Sequence, residues 1–232
     1  MTIEEIKQVL GKKATTFVAG GFRPTFQVEE SWIGKVEWFL KEEEIPTDDD
    51  GLPMLPLMQL YLENLPFVPE ALEGIKLLTV FVSQNIPSDI LPSGSYWTVL
   101  EYHTLDCLER KKLTHSSSFL TPFPLKPSFI EEDFPIWDDE YSFSKTVENE
   151  ILRLEKEGSI ESYYATFDQN YEHKLGGYPT YCQSGIFFGE GFEFVLQITS
   201  DSKVGFSIGD SGILFLAKNK ETREWLLYWD CY

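Results

Sequence analysis

HKLGGYP at residues 173–179 is the stretch that decides the predicted fold class, because strand-like and turn-like segments follow it in a defined order. The apolar segment FVLQI lies at 194–198, and the turn GDSG lies at 209–212. A weaker copy of this order occurs earlier in the chain, with IGKV at 33–36, PLMQL at 56–60 and IKLLTVFV at 75–82. The repetition predicts a duplicated, β-rich module.

Composition and charge restrict the class of protein. Aromatic residues make up 15% of the 232 residues, which favours pleated sheet. No apolar run reaches the length of a membrane-spanning helix, and the N-terminal MTIEE lacks a signal-peptide pattern. A cytoplasmic protein without a membrane partner is therefore expected. The net charge of −19 opposes binding to nucleic acid and to anionic membranes, and it attracts basic proteins.

Cysteine and acidic patterns indicate neither a metal nor a cofactor. Cys107, Cys182 and Cys231 are widely spaced, which is typical of reduced thiols rather than of a disulfide framework or a zinc site. The DDDG sequence at 48–51 is similar to part of a calcium loop, but the twelfth position of such a loop is not an acid here. A solvated turn is expected at this position.

The chain is predicted to be a single α+β domain over residues 1–232. Its two related antiparallel β-sheet modules are expected at approximately 20–115 and 165–232, an internal duplication whose halves pack as one globule with a few flanking helices. An irregular and helical segment, 116–164, is expected to connect them, and it contains the best helix pattern of the chain at 144–157. Another capped helix is expected at the N-terminus.

Two glutamines and two turns supply the candidate ligand-binding residues. Gln59 and Gln197 each interrupt an apolar strand at the matching place of its module. A buried amide needs partners, so a structural link to a turn in the same half is expected. Alternatively, the two side chains flank a cleft that binds a ligand. Gly176 and Gly177 are expected to form a tight turn or a backbone nest for a small anion. Asp210, expected to bond neighbouring backbone amides, completes the set.

The GDSG turn at 209–212 is also similar to the nucleophile turn of trypsin-like serine proteases. That chemistry needs a histidine base held by an aspartate, and an oxyanion hole beside the serine. The further Gly and Pro that usually follow are missing, and none of His103, His115 and His173 has a protease context. No catalytic residue is therefore predicted, and the enzymatic status of the protein stays open.

The motifs resemble those of the YwqG-like family, bacterial proteins grouped under a domain of unknown function. The resemblance spans about residues 20 to 230, and it rests on the Gly-Gly-x-Pro turn at 176–179, Leu-Gln-Ile at 196–198 and the Gly-Asp-x-Gly turn at 209–212. The first half is less similar, since Lys35 and Glu37 stand where the family has a second Gly and a Pro. The resemblance implies a mixed α+β fold with internal duplication, and it implies no particular activity.

The acidity, the aromatic content and the missing catalytic motif favour a non-enzymatic, acidic protein-interaction module of the immunity or antitoxin type. Its partner is expected to be a basic protein that docks on acidic loops. The candidate partner-binding residues are Glu42, Glu43, Glu44, Asp48, Asp49, Asp50, Asp138 and Asp139. The alternative is a small-molecule binding module that uses a cleft between the two repeats.

Overall fold

The computed structural model describes residues 1–87, 89–111 and 118–232, and its main element is an 11-stranded antiparallel sheet. A two-stranded sheet accompanies it, and helices account for about 12% of the chain. The strands are β1 (Lys12–Ala19), β2 (Trp32–Ile33), β3 (Trp38–Leu40), β4 (Leu55–Tyr61), β5 (Leu77–Val82), β6 (Leu91–Pro92), β7 (Trp97–Tyr102), β8 (Leu108–Arg110), β9 (Phe123–Asp133), β10 (His173–Gly176), β11 (Phe192–Thr199), β12 (Ile213–Asn219) and β13 (Trp225–Asp230). The helices are α1 (Ile3–Leu10), α2 (Lys145–Lys156) and α3 (Tyr163–Thr166), with a 3-10 turn at Glu70–Leu72.

The large sheet curls so that strands from distant parts of the sequence share one hydrophobic core. Its order is β6-β13-β12-β11-β10-β1-β9-β2-β4-β5-β7, and β3 pairs with β8 in the small sheet. The shared core contains Phe17 from β1, Leu57 from β4, Val80 from β5, Leu196 from β11 and Leu216 from β12. Because these side chains exclude water together, the same buried surface stabilises the strands towards both ends of the sheet.

This topology contradicts the predicted α+β class with two related sheet modules and an internal duplication. One continuous sheet holds the strands of both predicted halves, and β9, which falls in the predicted connector 116–164, lies at its centre beside β1. Pro124 and Pro127 indicate an irregular segment because proline cannot donate to a strand ladder. The strand forms nevertheless. It pairs with β2 only at Phe123 and Pro124, and among the described strands the rest of it pairs with β1 alone. Most of β9 therefore needs backbone donors on one side only, which is where prolines are tolerated.

The helices form where their end signals predict them. Thr2 caps α1, and Glu5 completes the predicted capping box, while the Ser144 hydroxyl caps α2. Both helices contribute to a second hydrophobic cluster, in which Ile6 and Ile151 are completely buried. No helix among the described residues combines the length and the apolar character needed to cross a bilayer.

Candidate ligand-binding cleft

The HKLGGYP motif folds around a fully buried ion pair. Lys174 in β10 and Asp133 at the end of β9 have no exposed side-chain surface, and Lys174 Nζ lies 2.8 Å from Asp133 Oδ2. Nζ also donates to the carbonyl of Asn170, whose side-chain amide donates to Asp133 Oδ1. Desolvation by burial lowers the pKa of Lys174, and the Asp133 charge opposes this shift. The pair is coupled to folding because neither charge can stay buried without the other.

Gly176 and Gly177 form the predicted tight turn beside this ion pair. Both residues have left-handed backbone, with φ angles of +76° and +70°. A Cβ on Gly176 would meet the Phe67 ring at 2.5 Å, and a Cβ on Gly177 would overlap Asp133 Oδ2. The Tyr178 N–H donates to the same carboxylate oxygen at 2.8 Å. The Asp133 carboxylate thus lies against this turn, and the nest for a small anion stays a prediction.

Gln197 makes the predicted structural link to the turn that follows the glycines. Its Oε1 accepts from the Thr180 N–H and hydroxyl, each at 3.1 Å, and its Nε2 donates to the Glu172 carbonyl at 2.9 Å. Gln59 makes a similar link, accepting from the Glu37 N–H and donating to the Glu30 carbonyl. Both amides therefore have internal partners.

The two glutamines are not brought together. Gln197 lies in β11 and Gln59 lies in β4, and the strand order places β10, β1, β9 and β2 between them. The cleft described below is lined by Gly176 and Gly177 but by neither glutamine. The alternative in which both glutamines flank one cleft stays a prediction.

Asp210 lies in an exposed turn away from the glycine pair. The Ser211 hydroxyl donates to its carboxylate at 3.3 Å, and its carbonyl accepts from the Tyr232 N–H. Among the described residues, no histidine lies within hydrogen-bond distance of Ser211; His115 itself falls outside the described residues. The GDSG turn thus shows no nucleophile–base pair. A ligand-binding role for Asp210 stays a prediction.

The predicted acidic loops divide into internal and exposed groups. Asp48 is buried and accepts from the Leu52 N–H and the Ser83 hydroxyl. Asp139 is also buried, and Glu43 accepts from the Tyr102 hydroxyl at 2.8 Å. The exposed acids are Glu42, Glu44, Asp49, Asp50 and Asp138. Three of the predicted partner-binding acids are therefore held by contacts within the chain.

An aromatic cleft of about 570 Å³ opens beside the Gly176–Gly177 turn. It is lined by Phe67, Pro69 and Glu70 and by residues of the segment from Tyr181 to Phe194. Its aromatic lining consists of Phe67, Tyr141, Tyr178, Tyr181, Phe187, Phe188, Phe192 and Phe194. Tyr141 and Phe187 stack at a centroid distance of 5.8 Å and are 61% and 59% exposed, so they form an aromatic lip.

Lys12 is the distinctive charged group of this cleft. Its Nζ lies 3.9 Å from the centroid of the Tyr178 ring, a cation–π distance. Solvent reaches the side chain, yet desolvation by the surrounding groups lowers the pKa of Lys12, partly opposed by the charges of Asp139 and Glu193. Among the described residues, no carboxylate lies within ion-pair distance of Nζ. Lys12 is therefore a partly desolvated cation without a carboxylate partner.

The other rim of the cleft has compensated charges. Lys220 Nζ lies 2.8 Å from a Glu70 oxygen and 3.6 Å from a Glu193 oxygen. The hydrogen bond from Lys220 lowers the pKa of Glu70 and raises that of Lys220 itself. These groups hold each other charged. Lys13, the third lysine among the described residues of the lining, lies 3.4 Å from a Glu131 oxygen, so Lys12 is the unpaired cation that a ligand can use.

The sequence predicts the turn of this site but not the lysine and the aromatic wall beside it. The glycine pair is visible as a turn signal, but Lys12 and Phe67 lie far from it in sequence. The signal that could have located the cleft is the aromatic density between Tyr181 and Phe194. No local pattern marks Lys12, because its importance depends on pairing between β1 and β10, which begins at Ala14 opposite Gly176.

The hydrogen bond between His173 and Asp201 leads to a pH-dependent prediction. His173 Nδ1 accepts from the Thr199 N–H, so Nε2 carries the proton and donates to Asp201 at 3.4 Å. This bond lowers the pKa of Asp201 in the folded protein. A carboxylate with a lowered folded-state pKa stabilises the fold above its unfolded pKa of about 3.9, and loses that contribution as pH falls further.

Asp201→Asn is therefore expected to reduce the free energy of unfolding at pH 7, and the difference from wild type should shrink below about pH 4. Chemical denaturation at pH 7, 5 and 3 measures this difference. Asp106→Asn, at an exposed position, serves as the charge-matched control. A difference that stays constant down to pH 3 would contradict the role assigned to the hydrogen bond.

Comparison with protein families places the chain in one family. The model described as a domain of unknown function (DUF1963) matches residues 31–231, and the chain belongs to that family. Comparison with curated proteins finds no match. The family match confirms the resemblance to a domain of unknown function, and the narrower YwqG-like assignment stays a prediction.

Proposed function

We propose that this domain binds a small molecule, and that the ligand is an organic anion with a flat apolar body that occupies the aromatic cleft. The observation that carries the proposal is Lys12, a partly desolvated cation over the Tyr178 ring without a carboxylate partner. A ligand carboxylate or similar anion would supply that partner. The proposal replaces the cleft between two repeats with a cleft at one defined position in a single sheet.

The walls of the cleft favour a flat apolar body. Aromatic side chains bury large areas and stack best on planar groups. Small-molecule sites usually occupy about 300–1,000 Å³ and combine apolar walls with a few polar groups. The aromatic lip of Tyr141 and Phe187 lies where a planar ligand could extend the existing stack. The shape and the lining are therefore those of a small-molecule site.

The electrostatics favour an anionic head group. A charged group in a desolvated position gains more from an opposite charge than it does in bulk water. The net charge of −19 opposes non-specific anion binding, so selective binding of an anion has to depend on a local cation. Lys220 is already held by Glu70 and Glu193, and Lys13, which also lines the cleft, pairs with Glu131 at 3.4 Å. Lys12 is therefore left for the ligand.

Lys12→Met is expected to weaken binding of 2-naphthoate about tenfold, because it removes the cation and keeps most of the side-chain volume. The neutral analogue 2-naphthylmethanol should bind with an affinity within about twofold in wild type and variant. Calorimetric titration measures both affinities. Lys126→Met, which changes an exposed lysine in β9, is the matched control and should leave both affinities unchanged.

Two results would contradict the proposal. One is that 2-naphthoate shows no saturable binding to the wild-type protein. The other is that Lys12→Met weakens naphthoate and naphthylmethanol equally, since the lysine would then contribute shape rather than charge.

The hypothesis of an acidic protein-interaction module stays a prediction. Its support is the net charge together with the exposed acids Glu42, Glu44, Asp49, Asp50 and Asp138. Its weakness is that Asp48 and Asp139 are buried, so they are not available to dock a basic protein. Bacterial origin, cytoplasmic location, and a single domain over 1–232 likewise stay predictions.

A further inference from the structure

A second pocket, of about 330 Å³, shares Tyr181 with the aromatic cleft. We call it the tyrosine pocket, and its walls are supplied by Tyr164, Tyr171, Tyr181 and Tyr232, with Asp138 and the segment Cys182–Ser184. Its described lining is mainly polar and has four tyrosines and no lysine, whereas the cleft is lined by five phenylalanines, three tyrosines and three lysines. The two sites therefore offer different chemistry.

Two of the four tyrosine rings, Tyr164 and Tyr181, are held by contacts within the protein. Tyr164 Oη accepts a hydrogen bond from the backbone N–H of Trp137 at 3.1 Å, which fixes the position of the Tyr164 ring. Tyr181 is buried and packs on Phe215 at a centroid distance of 4.8 Å. Tyr164 and Tyr171 are still 50% and 48% exposed, so their surfaces remain available to a ligand. Tyr164 therefore combines a fixed ring with an accessible surface, which is what an aromatic cage for a cation requires, and Tyr171 adds a second accessible ring.

The charges around the tyrosine pocket are negative. Asp138 is exposed at its rim. Asp230 is only 5% exposed and lies behind the wall, where its Oδ2 accepts from the N–H groups of Cys182 and Gln183. Its Oδ1 is buried and has no hydrogen-bond partner among the described residues. None of the described residues that line the pocket is a lysine or an arginine.

We propose that the tyrosine pocket binds an organic cation of the quaternary or methylated ammonium class. The face of each tyrosine ring attracts a cation, and a bulky ammonium group also buries its methyl groups against the rings. Asp138 adds a direct opposite charge, and Asp230 adds a negative potential from behind the wall. Cation binding in the tyrosine pocket does not depend on anion binding in the cleft. The two sites share Tyr181, but they use charges of opposite sign.

Choline is the probe, and its neutral isostere 3,3-dimethylbutanol is the ligand control. Calorimetric titration is expected to show saturable binding of choline and at least about tenfold weaker binding of the alcohol. Tyr171→Leu should weaken choline about fivefold, while Tyr171→Phe should stay within about twofold of wild type because the ring is kept. Asp138→Asn should weaken choline about threefold, and Asp106→Asn should leave it unchanged.

The proposal is overturned if choline does not saturate, if choline and 3,3-dimethylbutanol bind equally, or if Tyr171→Phe loses as much affinity as Tyr171→Leu. Thermal unfolding of each variant checks that the fold is intact. Lys12→Met should leave choline binding unchanged, so failure of the anion site and failure of the cation site can be told apart.

Discussion

Replacing Lys174 with methionine is expected to lower the free energy of unfolding by about 3–5 kcal/mol, the usual cost of leaving one member of a buried ion pair uncompensated. Asp133 would stay buried without its cation, and the Asn170 carbonyl would lose the Lys174 donor. Asp133 also accepts from the Tyr178 N–H, so the same change should loosen the turn that lines the cleft. Urea denaturation at pH 7 measures the stability.

The control for this prediction is an exposed ion pair. Lys76 Nζ lies 3.0 Å from a Glu63 oxygen, and the side chains are 40% and 44% exposed. Lys76→Met should have a much smaller effect because solvent screens exposed pairs. Comparable losses for Lys174→Met and Lys76→Met would contradict the structural role given to the buried pair.

Gly177→Ala is expected to cost about 3–4 kcal/mol, the second largest effect we predict. The residue has a φ of +70°, which disfavours any side chain, and a Cβ would overlap Asp133 Oδ2. The variant would therefore have to move either the turn or the buried carboxylate. The same displacement should weaken 2-naphthoate binding, because Gly177 and Tyr178 line the cleft. Urea denaturation and the naphthoate titration measure the two consequences.

Gly51→Ala separates backbone strain from collision. Gly51 has a φ of +76°, but a Cβ there would meet nothing within 4 Å. Its expected cost is therefore the left-handed strain alone, about 1–2 kcal/mol. Equal losses in Gly177→Ala and Gly51→Ala would show that the contact with Asp133 contributes nothing.

Local signals predict the local elements of this fold well. The capping box at Thr2 and Glu5 and the cap at Ser144 identify α1 and α2, because a cap is a contact between near neighbours in sequence. The buried amides of Gln59 and Gln197 are predicted to link to nearby turns, and they do. The caps join residues three positions apart, whereas the partners of the two glutamines lie 17 to 29 residues away but within the same half of the chain.

The strand order is not predicted, because it depends on distant pairings. β1 lies between β9 and β10, so the N-terminal strand joins the two predicted halves into one sheet. The prolines of β9 hide that strand from any pattern based on propensity. A duplicated motif therefore suggested two modules where the structure has one sheet.

The candidate site likewise combines features that local sequence signals predict with features that depend on distant contacts. Gly176 and Gly177 are recognisable as a turn, whereas Lys12 gains its role from the distant Tyr178 ring. Asp48 and Asp139 lie in acidic, turn-rich segments, which predicts exposure, but each accepts hydrogen bonds within its own turn and is buried. Acidic residues in turns can be caps as well as solvated charges, and sequence alone does not separate the two.

The central claim is that the cleft beside Gly177 binds a planar organic anion through Lys12. A titration of the ¹⁵N-labelled protein with 2-naphthoate, followed by ¹H–¹⁵N NMR, tests it most directly. We predict saturable shift changes concentrated at the amides of Lys12, Gly177, Tyr181 and Phe187, and a clear loss of those changes in Lys12→Met at the same ligand concentrations. Absence of saturable shifts, or shifts centred elsewhere on the sheet, would contradict the claim.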